Sequence, residues 1–146
     1  MPVEVNCFIL ADGAQEADGK LYVLGGGWDR LTVKSLPAPL VTAALAIVLS
    51  VPWNEANETI RFEIFLVHED EAPGPEPWIG GELVTGRPAD AVPGMDLPVR
   101  LAFPTAGVVL KAIGGHAFVL MVNGQEKARA KFRVVEAPIS VTHGSA

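Results

Sequence analysis

Apolar residues along this chain recur at every second position rather than every third or fourth. From Leu40 to Val51 the odd positions Val41, Ala43, Leu45, Ile47, Leu49 and Val51 form a large apolar face, while Thr42, Ala44, Ala46, Val48 and Ser50 form a small one. That period of two predicts a strand despite the helix-forming alanines. Ile60 to Leu66 repeats it, with Ile60, Phe62, Ile64 and Leu66 inward and Arg61 and Glu63 outward. Val3 to Ala11 carries apolar residues on both faces, which predicts a central strand covered on two sides. Further strands are predicted at Lys20 to Leu24, Trp28 to Lys34, Trp78 to Val84, Leu97 to Phe103, His116 to Val122 and Gln125 to Val134. Val108 to Ile113 fits either a short strand or a turn of helix.

Between the strands lie segments of turn chemistry: Asp12 to Gly19, Pro52 to Glu58, the acidic and proline-rich His68 to Pro77, and Arg87 to Asp96. About eight strands with turns at fairly even spacing predict an all-β fold, an antiparallel two-layer β-sandwich with Greek-key-like connections. One domain is expected over 1–137, with 138–146 as a flexible tail.

Two places allow a finer reading. At Asn123-Gly124 a two-residue turn would place Lys127 opposite Leu120 and mix the faces of the last hairpin. A three-residue loop over Val122, Asn123 and Gly124 instead sets Phe118 opposite Ala128 and sends Lys127, Arg129, Lys131 and Arg133 outward, so that loop is the expectation. The second place is Lys20-Leu21-Tyr22-Val23-Leu24-Gly25-Gly26-Gly27-Trp28-Asp29, where a strand runs into three glycines and restarts at a tryptophan. No helix signal or Gly-Lys-Ser/Thr follows, so a phosphate-cradling loop is not supported. A corner is predicted, at which the chain crosses between sheets, Trp28 closes an end of the core and Asp29 caps the turn.

Composition narrows the function classes. At 146 residues the chain can bury roughly 70% of its unfolded surface without covalent staples. Its single cysteine, Cys7, lies in an apolar strand, which excludes an internal disulfide and predicts an inert thiol in a reducing compartment. A net charge of -6 disfavours nucleic acid as a partner. The longest apolar run, Leu40 to Val51, is far short of the ~20 residues of a membrane-spanning helix, so no membrane association is expected. Glu4 stands where a secretory signal would carry Lys or Arg, and a cytoplasmic location is expected.

Catalytic sets are sparse. There is no Gly-X-Ser-X-Gly, and the three histidines are His68, His116 and His143. No catalytic residue, metal ligand or cofactor is assigned. Two loops offer the carboxylates that calcium takes, Asp12, Glu16 and Asp18 in one and Glu69, Asp70, Glu71 and Glu76 in the other, and the spacing in the first does not match the twelve-residue helix-loop-helix pattern. Trp28, Asp29, Trp53, Trp78 and His116 remain as candidate binding residues, since rim aromatics stack on sugars or anchor partners. Phe65, Val67, Val119 and Met121 fall on the outward parity, an apolar patch that predicts self-association, most simply as a dimer.

The run Cys7-Phe8-Ile9-Leu10-Ala11-Asp12 followed by Gly19-Lys20-Leu21-Tyr22-Val23-Leu24-Gly25-Gly26-Gly27-Trp28-Asp29 resembles a family of uncharacterised short bacterial β-sandwich proteins over about the first 35 residues. The resemblance implies a sandwich in a bacterial, intracellular setting and no catalytic or cofactor residue. The functional expectation is a non-enzymatic protein-interaction module that self-associates and meets an unidentified protein partner. The alternative is a small-ligand module for sugar or calcium. An enzyme would require His116 beside Asp12 or Asp29 in a cleft.

Overall fold

The computed structural model describes residues 2–138. The expected tail from 139 onward lies outside the described residues. The described residues are all-β, with twelve strands where the periodicity suggested about eight. The additional ones are short or sit in segments with turn chemistry.

One layer is a three-stranded sheet in the order β1 (Glu4–Ala11), β6 (Ala44–Val51), β9 (Leu97–Pro104). The other is five-stranded, in the order β4 (Arg30–Val33), β12 (Gln125–Glu136), β11 (Gly114–Val122), β7 (Ile60–His68), β8 (Ile79–Leu83). Pairing is antiparallel except for β4, which lies parallel to β12. With β1, β6 and β9 as strands A, B and E and with β8, β7, β11 and β12 as C′, C, F and G, this is the Greek-key connectivity of an immunoglobulin-type sandwich. Among the described residues no strand lies beyond β9, so β9 is an edge. A small ladder joins β5 (Ala38–Pro39) to β10 (Val109–Leu110), which resolves the open reading of Val108 to Ile113 as strand.

The core follows the period-two pattern. Leu45, Ile47, Leu49 and Val51 of β6 face Ile60, Phe62 and Ile64 of β7 and Phe118, Leu120 and Val122 of β11, all buried. Val41, counted on the same large face, is exposed because β6 begins only at Ala44.

Three expectations are corrected. β1 is an edge of its hydrogen-bonded sheet and not a central strand. Its second apolar face exists because β2 (Gly13–Ala17) and β3 (Lys20–Leu24) form a hairpin that folds back over the outside of that sheet and neighbours β6 and β9. The segment Asp12 to Gly19 therefore holds a strand as well as turns. Asp18 and Gly19, both at positive φ, make its two-residue turn, and Glu16 accepts a bond from the Gly19 N–H at 2.9 Å. This cover explains why the small-residue face of β6, Ala44 and Ala46, is buried.

The last hairpin closes with the two-residue Asn123-Gly124 turn, Val122 pairing with Gln125, and not with three residues. Both turn residues have positive φ, and Asn123 also binds Arg61 through its backbone N–H (2.8 Å) and its Oδ1 (2.9 Å). The faces are reconciled by a bulge: Met121 pairs with Glu126 and Leu120 with Ala128, leaving Lys127 as the extra residue. Phe118 lies opposite Ala130. The bulge also turns Glu126 to the face of Arg129, and a bidentate ion pair forms between residues that a regular strand would point apart. The Arg129 guanidinium holds the Glu126 carboxyl below its usual range.

The third correction concerns the outward apolar residues. Phe65, Val67 and Val119 are buried, together with Ala117, and Met121 packs against them. After β7 the chain runs over β12, where Lys131 meets Asp70 at 3.3 Å and Arg129 donates to the Glu71 carbonyl at 3.2 Å. It then returns to β8, where the Trp78 N–H donates to the Ile64 carbonyl at 2.8 Å. That path crosses the outer sheet face, so the acidic proline loop covers the patch from within the chain.

Candidate functional site

The glycine run forms a corner between the layers. Asp12 N–H donates to the carbonyls of Leu24 and Gly25, and Gly27 N–H donates to the Leu10 carbonyl at 2.7 Å, so the segment still clings to β1. Two residues later the Asp29 carbonyl accepts from Arg133 N–H at 2.8 Å and β4 starts in the opposite sheet. Gly25 and Gly27 have φ of +59° and +87°, which other residues adopt only with strain.

Trp28 lies half-buried at this corner and packs edge-to-face on Phe132, ring centroids 6.0 Å apart. Its indole Nε1 is buried without an oxygen partner. Asp29 is exposed and anchors the corner through its backbone, and its carboxylate caps nothing among the described residues.

Trp53 and Trp78 also pack against the core. Trp78 lies 5.5 Å from Phe118. Trp53 sits in a short 3-10 turn beneath Arg87, whose guanidinium is 4.4 Å above the ring and donates to the Trp53 carbonyl at 2.8 and 3.2 Å. All three tryptophans are partly buried lids, and the structure brings no two of them into one site.

His116 is buried on the inner face of β11, between Phe132 at 5.4 Å and its cross-strand partner His68 at 4.9 Å. It borders a recess of about 290 Å³ that is shared with Asp29, Glu69, Asp70, Lys131 and Arg133. Among the described residues no hydrogen bond joins His116 to Asp29, and Asp12 lies at the glycine corner instead. No group of three or more His, Cys, Asp or Glu is placed to hold a metal among the described residues. Cys7, its thiol pKa raised by burial, packs towards the Ala46 carbonyl.

Burial pushes the His116 imidazole below its ordinary value, and His68 adds to this. The hydrogen bond between Nδ1 and the Gly114 carbonyl, at 3.0 Å, and the charge of Glu69 oppose it. Asp29, Asp70, Lys131 and Arg133 are the other charged groups around the recess. A folded-state value below the unfolded one makes neutral His116 stabilising above about pH 6.5, and this contribution is lost as pH falls through the folded value. Thermal melts between pH 7.5 and 5 are therefore expected to fall more steeply in the wild type than in His116→Phe. Equal slopes would rule out His116 as the group responsible.

A larger concavity than this recess involves none of the candidate residues. It is a groove of about 710 Å³ on the open side of the sandwich, between the edge strands β8 and β9, with Leu83, Val84, Val92, Met95, Val99 and Leu101 among its walls. Val84, Val92 and Met95 are exposed. Two sequence signals pointed here: apolar Val92 and Met95 inside a Pro/Gly loop, and Pro98 and Pro104 within one strand, since proline in a sheet marks an edge.

Fold and groove together define an all-β sandwich of immunoglobulin-type connectivity with one unsealed side, a class that hosts many unrelated functions. A model of a family of unknown function, DUF6941, matches residues 6–135, and the chain belongs to that family. No curated protein and no solved structure matches the chain. The expected membership of an uncharacterised β-sandwich family is thus met. No helix is long and apolar enough to cross a membrane among the described residues.

Proposed function

We propose that this protein is a non-enzymatic protein-interaction module that self-associates. The reading no longer draws on Phe65, Val67 and Val119, which the chain covers itself. What supports it is the outward side of the β2–β3 hairpin, where Tyr22 is 54% and Leu24 74% exposed on the same face. Leu21, half-buried, and Val23, which keeps 37% of its surface exposed, turn the other way, and Val23 lies beside Ile9 across Gly26. The hairpin thus spends one apolar face on its own sheet and offers the other to a partner, most simply a second copy. An intracellular bacterial setting, suggested by the composition and the family resemblance, fits this role.

Sedimentation velocity at high micromolar concentration is expected to show a dimer in the wild type and a monomer for Leu24→Asp, with unchanged melting because Leu24 packs on nothing in the core. A monomeric wild type would overturn the self-association. The small-ligand alternative would rest on the groove between β8 and β9, whose volume lies in the range of small-molecule sites. The lid tryptophans and the acidic loops lend it little.

A further inference from the structure

We infer that the groove between β8 and β9 is a strand-addition site, taking an extended segment of a partner polypeptide along the free edge of β9. The inference rests on the reading of the protein as an interaction module but not on its self-association.

In the β6–β9 ladder the Thr105 N–H donates to the Ala43 carbonyl, in line with the register that pairs Pro104 with Ala44. Antiparallel pairs alternate between hydrogen-bonded and non-bonded. The odd residues of β9 therefore bond β6, and the even residues Pro98, Arg100, Ala102 and Pro104 direct their backbone groups away from it. Prolines at 98 and 104 cost the fold no bond, since their missing donors would have pointed outward. They blunt the two ends of the edge and leave the N–H and C=O groups of Arg100 and Ala102 as an open stretch between them.

The topology has room for an added strand here. Sandwiches of this connectivity carry a further strand beside strand E, and among the described residues β9 has none. The segment from Val84 to Asp96 runs past this position without pairing to β9, tied back by Thr85 and Gly86 to the Ala56 carbonyl and by Asp96 to Ser50. The groove between it and β9 is lined by apolar side chains from both layers and bordered by Gly19 of the β2–β3 turn, with Asp90 and Asp96 on the loop wall and Arg100 on the β9 wall. An occupant matching these features is an extended segment with apolar residues at alternate positions and a basic residue towards the loop wall. Main-chain bonds to Arg100 and Ala102 hold it, and the apolar walls select it.

The test uses the full chain and a displayed library of random seven-residue peptides. Panning is expected to enrich alternating apolar sequences that carry Lys or Arg. Ala102→Pro removes an outward donor at a position of the same parity as Pro98 and Pro104, so its melting temperature should match the wild type. Its affinity for a synthetic copy of the enriched peptide should fall at least tenfold. N-methylation of alternate peptide bonds should abolish binding in one phase and spare it in the other. Absence of enrichment, or enriched peptides indifferent to both Ala102→Pro and N-methylation, would overturn the inference. A wild-type dimer that persists in Ala102→Pro while panning fails would leave the interaction module standing without strand addition.

Discussion

Phe118→Ala is expected to destabilise the domain by about 3–5 kcal/mol, the range for removing a fully buried aromatic ring. Phe118 has no exposed surface and is the hub of a line of rings. It stacks on Phe132 at 5.7 Å and touches Trp78 at 5.5 Å, while Phe132 stacks on His116 and receives the edge of Trp28. These contacts tie β11 to β12 and hold lids from both the glycine corner and the β7–β8 connection. The loss is a large share of the roughly 5–15 kcal/mol that a domain of this kind possesses. Chemical denaturation should show the midpoint falling sharply, with Phe118→Leu, which keeps much of the volume, in between. A loss below 1 kcal/mol would mean that the rings do not form the centre of the core.

Gly25→Val is expected to cost about 2–3 kcal/mol, because a β-branched residue held at positive φ stores strain of this order. A Cβ there would also meet the Asp12 carboxylate. That carboxylate is exposed and can swing aside, so the backbone term should dominate. Gly25→Asn separates the two, since asparagine tolerates the left-handed region and should cost about 1 kcal/mol. At neighbouring Gly26, whose φ is ordinary, an alanine Cβ would crowd the side chains of Val23 and Ile9 and touch that of Ala11, so a shift of Val23 is needed, but without backbone strain the cost should be milder than for Gly25→Val. Equal costs for valine and asparagine at position 25 would remove the conformational argument for the corner.

The corner also shows how far local sequence reaches. Three glycines and a tryptophan after an apolar run were enough to predict a crossing between sheets with Trp28 over the core end, because glycine reports backbone demands directly. The role of Asp29 was not legible, since its backbone rather than its side chain makes the anchoring bond. The hairpin at Asn123-Gly124 shows the opposite limit. Face parity argued for a three-residue loop, but a bulge at Lys127 satisfies the same parity with a two-residue turn, and nothing local distinguishes one from the other.

The alternation of apolar and polar residues by itself determined the all-β class, the core strands β6, β7, β9, β11 and β12, and their inward faces, because a side chain's face on a strand is a local property of period two. What covers each outer face was decided only by the tertiary structure. The β2–β3 hairpin folds over one sheet and the acidic proline loop crosses the other, so residues that parity marked as exposed are buried. The free edge of β9 and the groove beside it belong to the same category: two prolines in register hinted at an edge, but an edge is defined by the strand that is not there, and strand order arises from long-range packing rather than from any one segment.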